Sequence, residues 1–288
     1  MSTPARDLTP VGLRAWPLPS VGDSKYSRGQ VLVIGGAAGT PGAAQLAGLA
    51  ALRVGAGHLT LAVAASAAVA MAVATPEAGV IGLPQTEAGS VRGDDLSALE
   101  DALGSSDVVV LGPGLDEPEH TADLVRGVVP LLGDDAWLLL DAYALGVLPG
   151  LKDEVAPLAG RLVLTPNPSE AGRLLGRDLD VVEDDVAEIA RTYGAVVSCQ
   201  GIVADPDGQR WRIGAGQVGL ATSGSGDVLA GAVAGILARG TEPGQAACWA
   251  SHVHAAAGDR LAASVGSLGF LAGELLAELP RVLVELGA

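Results

Sequence analysis

Short buried runs that close on a glycine or a polar turn recur along this chain: "QVLVIGG", "HLTLAVA", "DVVVLGPG", "WLLLDA", "RLVLTPN" and "AVVSCQ". Helical patterns separate several of them, such as the small-residue segment "PGAAQLAGLAALRVGAG" and "PSEAGRLLG". A run apolar at consecutive positions suits a strand covered on both faces, and strand–helix alternation is the pattern of a mostly parallel sheet between helical layers. "GIVADPDG" and "QRWRIG" read as a hairpin, and two long helical patterns follow at 241–265 and 268–286. The expectation is therefore α/β, a mostly parallel central sheet between two layers of helices. Apolar residues make up 49% of the chain and aromatics only 3%, so the core must be built from Ala, Val, Leu and Ile. Residues 1–28, with Pro4, Pro10, Pro17 and Pro19, read as an irregular lead-in, and residues 29–288 as a single catalytic domain.

In such sheets ligands sit beyond the carboxyl ends of the strands. The loops of interest are then 35–42, 112–116, 141–144, 165–170 and 221–227. Two common phosphate motifs are absent. Lysines stand only at 25 and 152, so no G-x-x-x-x-G-K-[ST] loop exists, and "GGAAGTPG" has the wrong spacing for a dinucleotide fingerprint. A formal charge of −16 argues against nucleic acid and anionic membranes as partners. No signal peptide or spanning segment is read, and the expected location is cytoplasmic. Cys199 and Cys248 have no metal or disulfide spacing and read as small buried residues.

The loop "ATSGSGD" running into "VLAGAVAGILARG" carries the most chemistry. Ser223 to Gly226 leave the backbone open to close approach, and the first amides of the following helix have no internal partner. A phosphate can take those bonds and gain from the helix dipole. Asp227 has two readings: a helix N-cap, or a base facing a substrate hydroxyl during phosphoryl transfer. As a base it would be held ionised by the helix end, and so start weak.

"ATSGSGDVLAG" is similar to the anion-hole motif of the ribokinase-like superfamily. The blocks "GQVLVIGGAAGTPGAAQLAGLAALRVGAG", "VVLGPGL", "LLLDAYAL", "LVLTPNPSEAGRLLG", "SGSGDVLAG" and "VHAAAGD" follow in the order found in the ADP- or ATP-dependent NAD(P)H-hydrate dehydratases, which repair hydrated nicotinamide nucleotides. The resemblance spans about Lys25 to Pro280. It implies a ribokinase-like three-layer α/β/α fold. It also implies a lyase that phosphorylates the ring hydroxyl of hydrated NADH or NADPH from ADP, then loses phosphate, releasing AMP. Asp227 would activate the hydroxyl, and Gly224, Ser225 and Gly226 would present amides to the transferred group. Ala43, Gly114 and Asn167 would line the hydrate site with Asp227. Asn167 stands where the family often has histidine. Gln200, Gly201 and Gly226 would contact ADP or AMP, with the "HAAAGD" block from His254 near the adenine. Mg²⁺ is expected as cofactor and ADP as phosphoryl donor, with ATP as the other possibility. Glu170 is the metal candidate, through water; the other reading of Glu170 is a first-turn carboxylate that stabilises its helix. The resemblance further implies a homo-oligomer, a tetramer, working alongside an epimerase for the hydrate. The alternatives are a kinase of the same superfamily acting on a hydroxymethyl-type alcohol, or a catalytically silent nucleotide-binding homologue.

Two departures from the family stand out. "DAYAL" carries Tyr143 in place of a second acid, while Asp141 remains. The expected Lys-Gly pair is missing: Gln200–Gly201 replaces it in one alignment and Val197–Ser198 in another. Arg210 and Arg212 have two readings, a compensating positive charge or solvated strand cations.

Overall fold

The computed structural model describes residues 4–20, 22–214 and 218–288. Ten strands form one sheet: β1 (Arg6–Leu8), β2 (Gln30–Ile34), β3 (His58–Ala64), β4 (Gly79–Leu83), β5 (Val108–Leu111), β6 (Trp137–Leu140), β7 (Leu162–Leu164), β8 (Ala195–Cys199), β9 (Ile202–Ala204) and β10 (Arg210–Ile213). Their spatial order is β1-β10-β9-β8-β7-β6-β5-β2-β3-β4. Only β9 runs against the others, pairing antiparallel with both β8 and β10.

The helices are α1 (Pro10–Arg14), α2 (Pro41–Arg53), α3 (Ala65–Ala74), α4 (Glu100–Ser105), α5 (Pro118–Val128), α6 (Tyr143–Val147), α7 (Lys152–Val155), α8 (Pro168–Leu175), α9 (Val182–Tyr193), α10 (Ser225–Ala238), α11 (Pro243–Ser264) and α12 (Ala272–Leu286). Successive strand residues point to opposite faces, and both faces are buried. Val31, Val33, Val108 and Val110 join a core with α2, α10, α11 and α12. Leu32, Ile34, Val109 and Leu111 join a second core with α5, α6, α8 and α9. This is the three-layer α/β/α arrangement with a mostly parallel sheet. Among the described residues no helix is long and apolar enough to cross a membrane.

The lead-in differs from the expectation. Arg6–Leu8 is an edge strand parallel to β10, and Thr9 caps α1 by accepting from the Gly12 amide at 3.2 Å. Pro10 sits in the first turn of α1, where a missing N–H costs nothing, so the proline starts a helix rather than breaking one. Residues 1–3 and 21 of that segment lie outside the described residues.

Two features set up the functional edge. The sheet order reverses at β2, which lies between β3 and β5, and the loops after β2 and β5 meet there. The amides of Gly36 and Ala37 donate to the carbonyls of Pro113 and Gly114, both at 2.8 Å, and the Thr40 hydroxyl donates to the Gly114 carbonyl at 2.8 Å. The second feature is the crossing of α2 and α10. A β-carbon on Gly231 would fall 1.9 Å from the Ala47 carbonyl oxygen, and one on Gly235 would fall 2.4 Å from that of Ala51. The two helices therefore touch backbone to backbone, and their N-terminal ends open side by side at the strands' carboxyl edge.

Candidate active site

The turn before α10 decides how Asp227 is used. Gly224 is the N-cap residue, with φ +88°, a conformation open to glycine and strained for other residues. The helix begins at Ser225, so Asp227 is its third residue and not its cap. No hydrogen bond from the described residues reaches the Asp227 carboxylate. Burial, and then the charge of Glu170, push its pKa up to about 6. Desolvation outweighs the helix end, so the group is ionised at neutral pH, as expected, but is a stronger base than the helix end alone would leave it.

The amide donors also differ in one place from the expectation. The Ser225 amide donates to the Thr222 carbonyl at 3.2 Å, closing the turn. Among the described residues no acceptor engages the amides of Gly226 and Asp227. The Ser225 hydroxyl lies 3.0 Å from Nε2 of His254 on α11. That imidazole is buried, which lowers its pKa to about 4 and keeps it neutral. His254 therefore ties the glycine turn to the helix behind it without adding charge.

Ahead of the turn lies a cavity of about 740 Å³. Asn167, Gln200, Gly201 and Gly226 are among its walls with His254, so five of the residues singled out in the sequence meet in one space. Gln200 and Gly201, with φ +49° and +75°, form the two-residue turn between the antiparallel β8 and β9. That handedness matches a primed hairpin turn. Of the two alignments, the structure places Gln200–Gly201 at the cavity; Val197 is in the core, although Ser198 also reaches the cavity and shares a hydrogen bond with Ser251 at 2.9 Å.

Ala43 and Gly114 do not line that cavity. They meet at the sheet's switch point, where a β-carbon on Gly114 would lie 3.0 Å from that of Ala43. Asn167 and Glu170 form a reciprocal capping box on α8: the Asn167 side chain accepts from the Glu170 amide at 3.0 Å, and the Glu170 carboxylate accepts from the Asn167 amide at 2.8 Å. The first-turn role of Glu170 is realised, and one carboxylate oxygen is left for anything else. Burial raises its pKa.

Asp141 directly follows β6, accepts from the Thr165 hydroxyl at 2.7 Å, and has its pKa raised by burial and by the charges of Asp227 and Glu170. The next residue, Ala142, has φ +50° and ψ −118°, a non-glycine strain of about 1–3 kcal/mol. Such strain is held in place by surrounding structure, and Tyr143 opens α6 directly after it. Thr165 and Arg173 line the two cavities at this edge and were not assigned by sequence reasoning. Thr165 had a visible signal, the "TPN" turn closing β7.

Arg210 and Arg212 do not supply the missing charge. Arg210 pairs with Asp184 at 2.6 Å, and Arg212 pairs with Glu183 at 2.6 Å and Asp7 at 3.2 Å. Their partners sit on α9 and β1, so these arginines hold the sheet edge to its neighbours. Cys199 and Cys248 are buried and free, as read, with both thiol pKa values pushed up by burial.

A family model described as NAD(P)H-hydrate dehydratase matches residues 31–281. The chain is 46% identical over 291 residues to the ADP-dependent (S)-NAD(P)H-hydrate dehydratase of Xanthomonas campestris, covering 98% of this chain and 97% of the relative. It is 40% identical to a bifunctional NAD(P)H-hydrate repair enzyme of Moorella thermoacetica, of which it spans 50%. Among solved structures, the ADP/ATP-dependent NAD(P)H-hydrate dehydratase of Bacillus subtilis, co-crystallised with ATP and Mg²⁺, superposes with a TM-score of 0.77 at 26% identity, covering 96% of this chain and 97% of that one. The glycine turn, the free amides and the near-neutral aspartate thus sit in a chain that belongs to the NAD(P)H-hydrate dehydratase family.

Proposed function

We propose that this enzyme dehydrates hydrated NADH and NADPH at the expense of ADP, with Asp227 as the base. The carrying observation is Asp227 itself: a half-buried, uncapped carboxylate with a pKa of about 6, beside two free helix amides. A base of that pKa is ionised at neutral pH and still able to take a proton. The ring hydroxyl attacks the β-phosphorus of ADP while Asp227 takes the hydroxyl proton and AMP leaves. The amides of Gly224, Gly226 and Asp227 meet the charge on the transferred group. The C–O bond of the phosphoester then breaks, phosphate departs, and loss of a ring proton restores the double bond of NAD(P)H.

In this reading ADP occupies the cavity of Gln200, Gly201 and Gly226, and the hydrate reaches Asp227 past Ala43, Gly114 and Asn167. Gln200 replaces a charged contact with a neutral one, and the main-chain amides carry more of the phosphate binding. The donor set suits Mg²⁺ held mainly by phosphate oxygens and water, with Glu170 as its one protein carboxylate; no group of three or more His, Cys, Asp or Glu among the described residues could cage an ion. When bound, Mg²⁺ would neutralise phosphate charge. We further propose a homo-oligomer, for the apolar surface of α3 invites a second copy: Val69 and Val73 are 79% and 78% exposed, one turn apart. An epimerase that presents the correct hydrate would act upstream.

The test is incubation with hydrated NADH, Mg²⁺ and ADP. NADH and AMP should appear in equal amounts. A stable phosphorylated product from a hydroxymethyl alcohol, with no NADH regained, would instead make the protein a kinase.

A further inference from the structure

A second cavity, of about 460 Å³, opens at the same edge of the sheet. Its walls are Leu115, Pro118, Tyr143, Val147, Glu170 and Arg173, contributed by the loop after β5 and by α5, α6 and α8. It shares Glu170 with the Asp227 site, and Leu115 directly follows Gly114. The wall chemistry is divided. Leu115, Pro118, Val147 and the partly buried Tyr143 ring make an apolar side, and Arg173 makes a cationic one beside the Glu170 carboxylate, on which its charge acts.

Arg173, like Arg6, Arg14, Arg28, Arg53 and Arg191, has no ion-pair partner among the described residues, but it alone of these lines the cavity. Arg177, Arg210, Arg212 and Arg260 each pair with two carboxylates. Among the described residues no ion pair or hydrogen bond engages the exposed Arg173 guanidinium. Among the described residues it is also the one cation lining either this cavity or the one in front of Gly226. The substrates are polyanions entering a region where Asp141, Glu170 and Asp227 already repel one another. An unpaired arginine beside a flat apolar wall fits a purine nucleoside that carries a phosphate: the base lies on the ring, and the guanidinium takes the phosphate oxygens two at a time.

We propose that this cavity holds the adenosine end of the hydrated dinucleotide, with Tyr143 as the platform for the adenine and Arg173 as the phosphate clamp. The proposal rests on the dehydratase reading above, and it gives a role to the tyrosine that stands where the family resemblance expects an acid. The strained Ala142 turn immediately precedes that ring and lines the same cavity.

The experiment compares wild type, Arg173→Gln, Arg173→Lys and Tyr143→Ala. Two readouts are used: KM and kcat for hydrated NADPH, hydrated NADH and ADP, and direct binding of NADPH by its own fluorescence. Arg173→Gln should raise KM for hydrated NADPH and the Kd of NADPH about tenfold, the worth of one charge-assisted contact. Its kcat and its KM for ADP should stay within about twofold of wild type, since transfer occurs elsewhere. Arg173→Lys should recover part of the loss. Tyr143→Ala should weaken both hydrates alike. A penalty confined to the NADPH form places the 2′-phosphate on Arg173, and an equal penalty for both places the pyrophosphate there; either supports the pocket. Dinucleotide KM and Kd unmoved by Arg173→Gln, or a rise in KM for ADP instead, overturns it. A wild type that binds NADPH through Arg173 yet turns nothing over would sink the dehydratase reading and leave the pocket standing. A wild type with neither turnover nor NADPH binding would sink both.

Discussion

At the scale of single residues, the chemistry is set by desolvation of Asp227 and by the carboxylate beside it. The ascending limb of the pH profile of kcat/KM should follow the raised pKa of about 6, because the reactive form is the ionised one. Glu170→Gln removes a neighbouring negative charge while keeping the capping box, since glutamine serves that position too. It should move the limb to lower pH; a limb that stays put or rises would mean Glu170 does not act on the base. Gly226 gives a second residue-level expectation. A β-carbon there meets nothing within 4 Å and its φ is not positive, so the fold has no use for glycine at this site. Gly226→Ala should leave stability unchanged or raise it by up to about 1 kcal/mol through helix propensity. It should nonetheless raise KM for ADP several-fold by standing off the phosphate. Thermal melts with and without ADP check both halves.

At the scale of elements, the site depends on α2 and α10 approaching through Gly231 and Gly235. Alanine at 231 would place its β-carbon 1.9 Å from the Ala47 carbonyl oxygen. Overpacking of this kind costs about 1–3 kcal/mol and outweighs any gain in helix propensity. Gly231→Ala should lower the denaturant midpoint and also reduce turnover, because the two helix ends carry Ala43 and Asp227. Much of this layer was legible in the chain. The β-branched runs closing on glycine are strands because both sheet faces need apolar cover, and the glycine loop before α10 was marked by composition alone. Other parts were not legible. Strand β4 is glycine-broken and buries only Leu83, so it lacked the apolar signal. Strand β1 exists through pairing with β10, more than two hundred residues away in sequence. The pairing of Arg210 and Arg212 with Asp184, Glu183 and Asp7, and the burial that raises Asp227, arise from tertiary packing that no local pattern encodes.

At the scale of the whole molecule, the acidic chain gathers three carboxylates at one sheet edge and leaves their repulsion in place. Such an edge is costly for the fold and useful for chemistry. The exposed valines of α3 make a separate claim. If a second copy covers them, the double variant Val69→Glu, Val73→Glu should form a smaller species by light scattering while keeping its secondary structure. Unchanged mass would show that this face is not the contact.

The central claim is that Asp227 takes the proton from the ring hydroxyl. It is tested most directly by Asp227→Asn, with NADH recovery and AMP release from hydrated NADH and ADP followed together at pH 7.5. The account predicts turnover lower by at least about a hundredfold, the usual worth of a positioned base, while ADP still raises the melting temperature as in wild type. Turnover within a few-fold of wild type would contradict it.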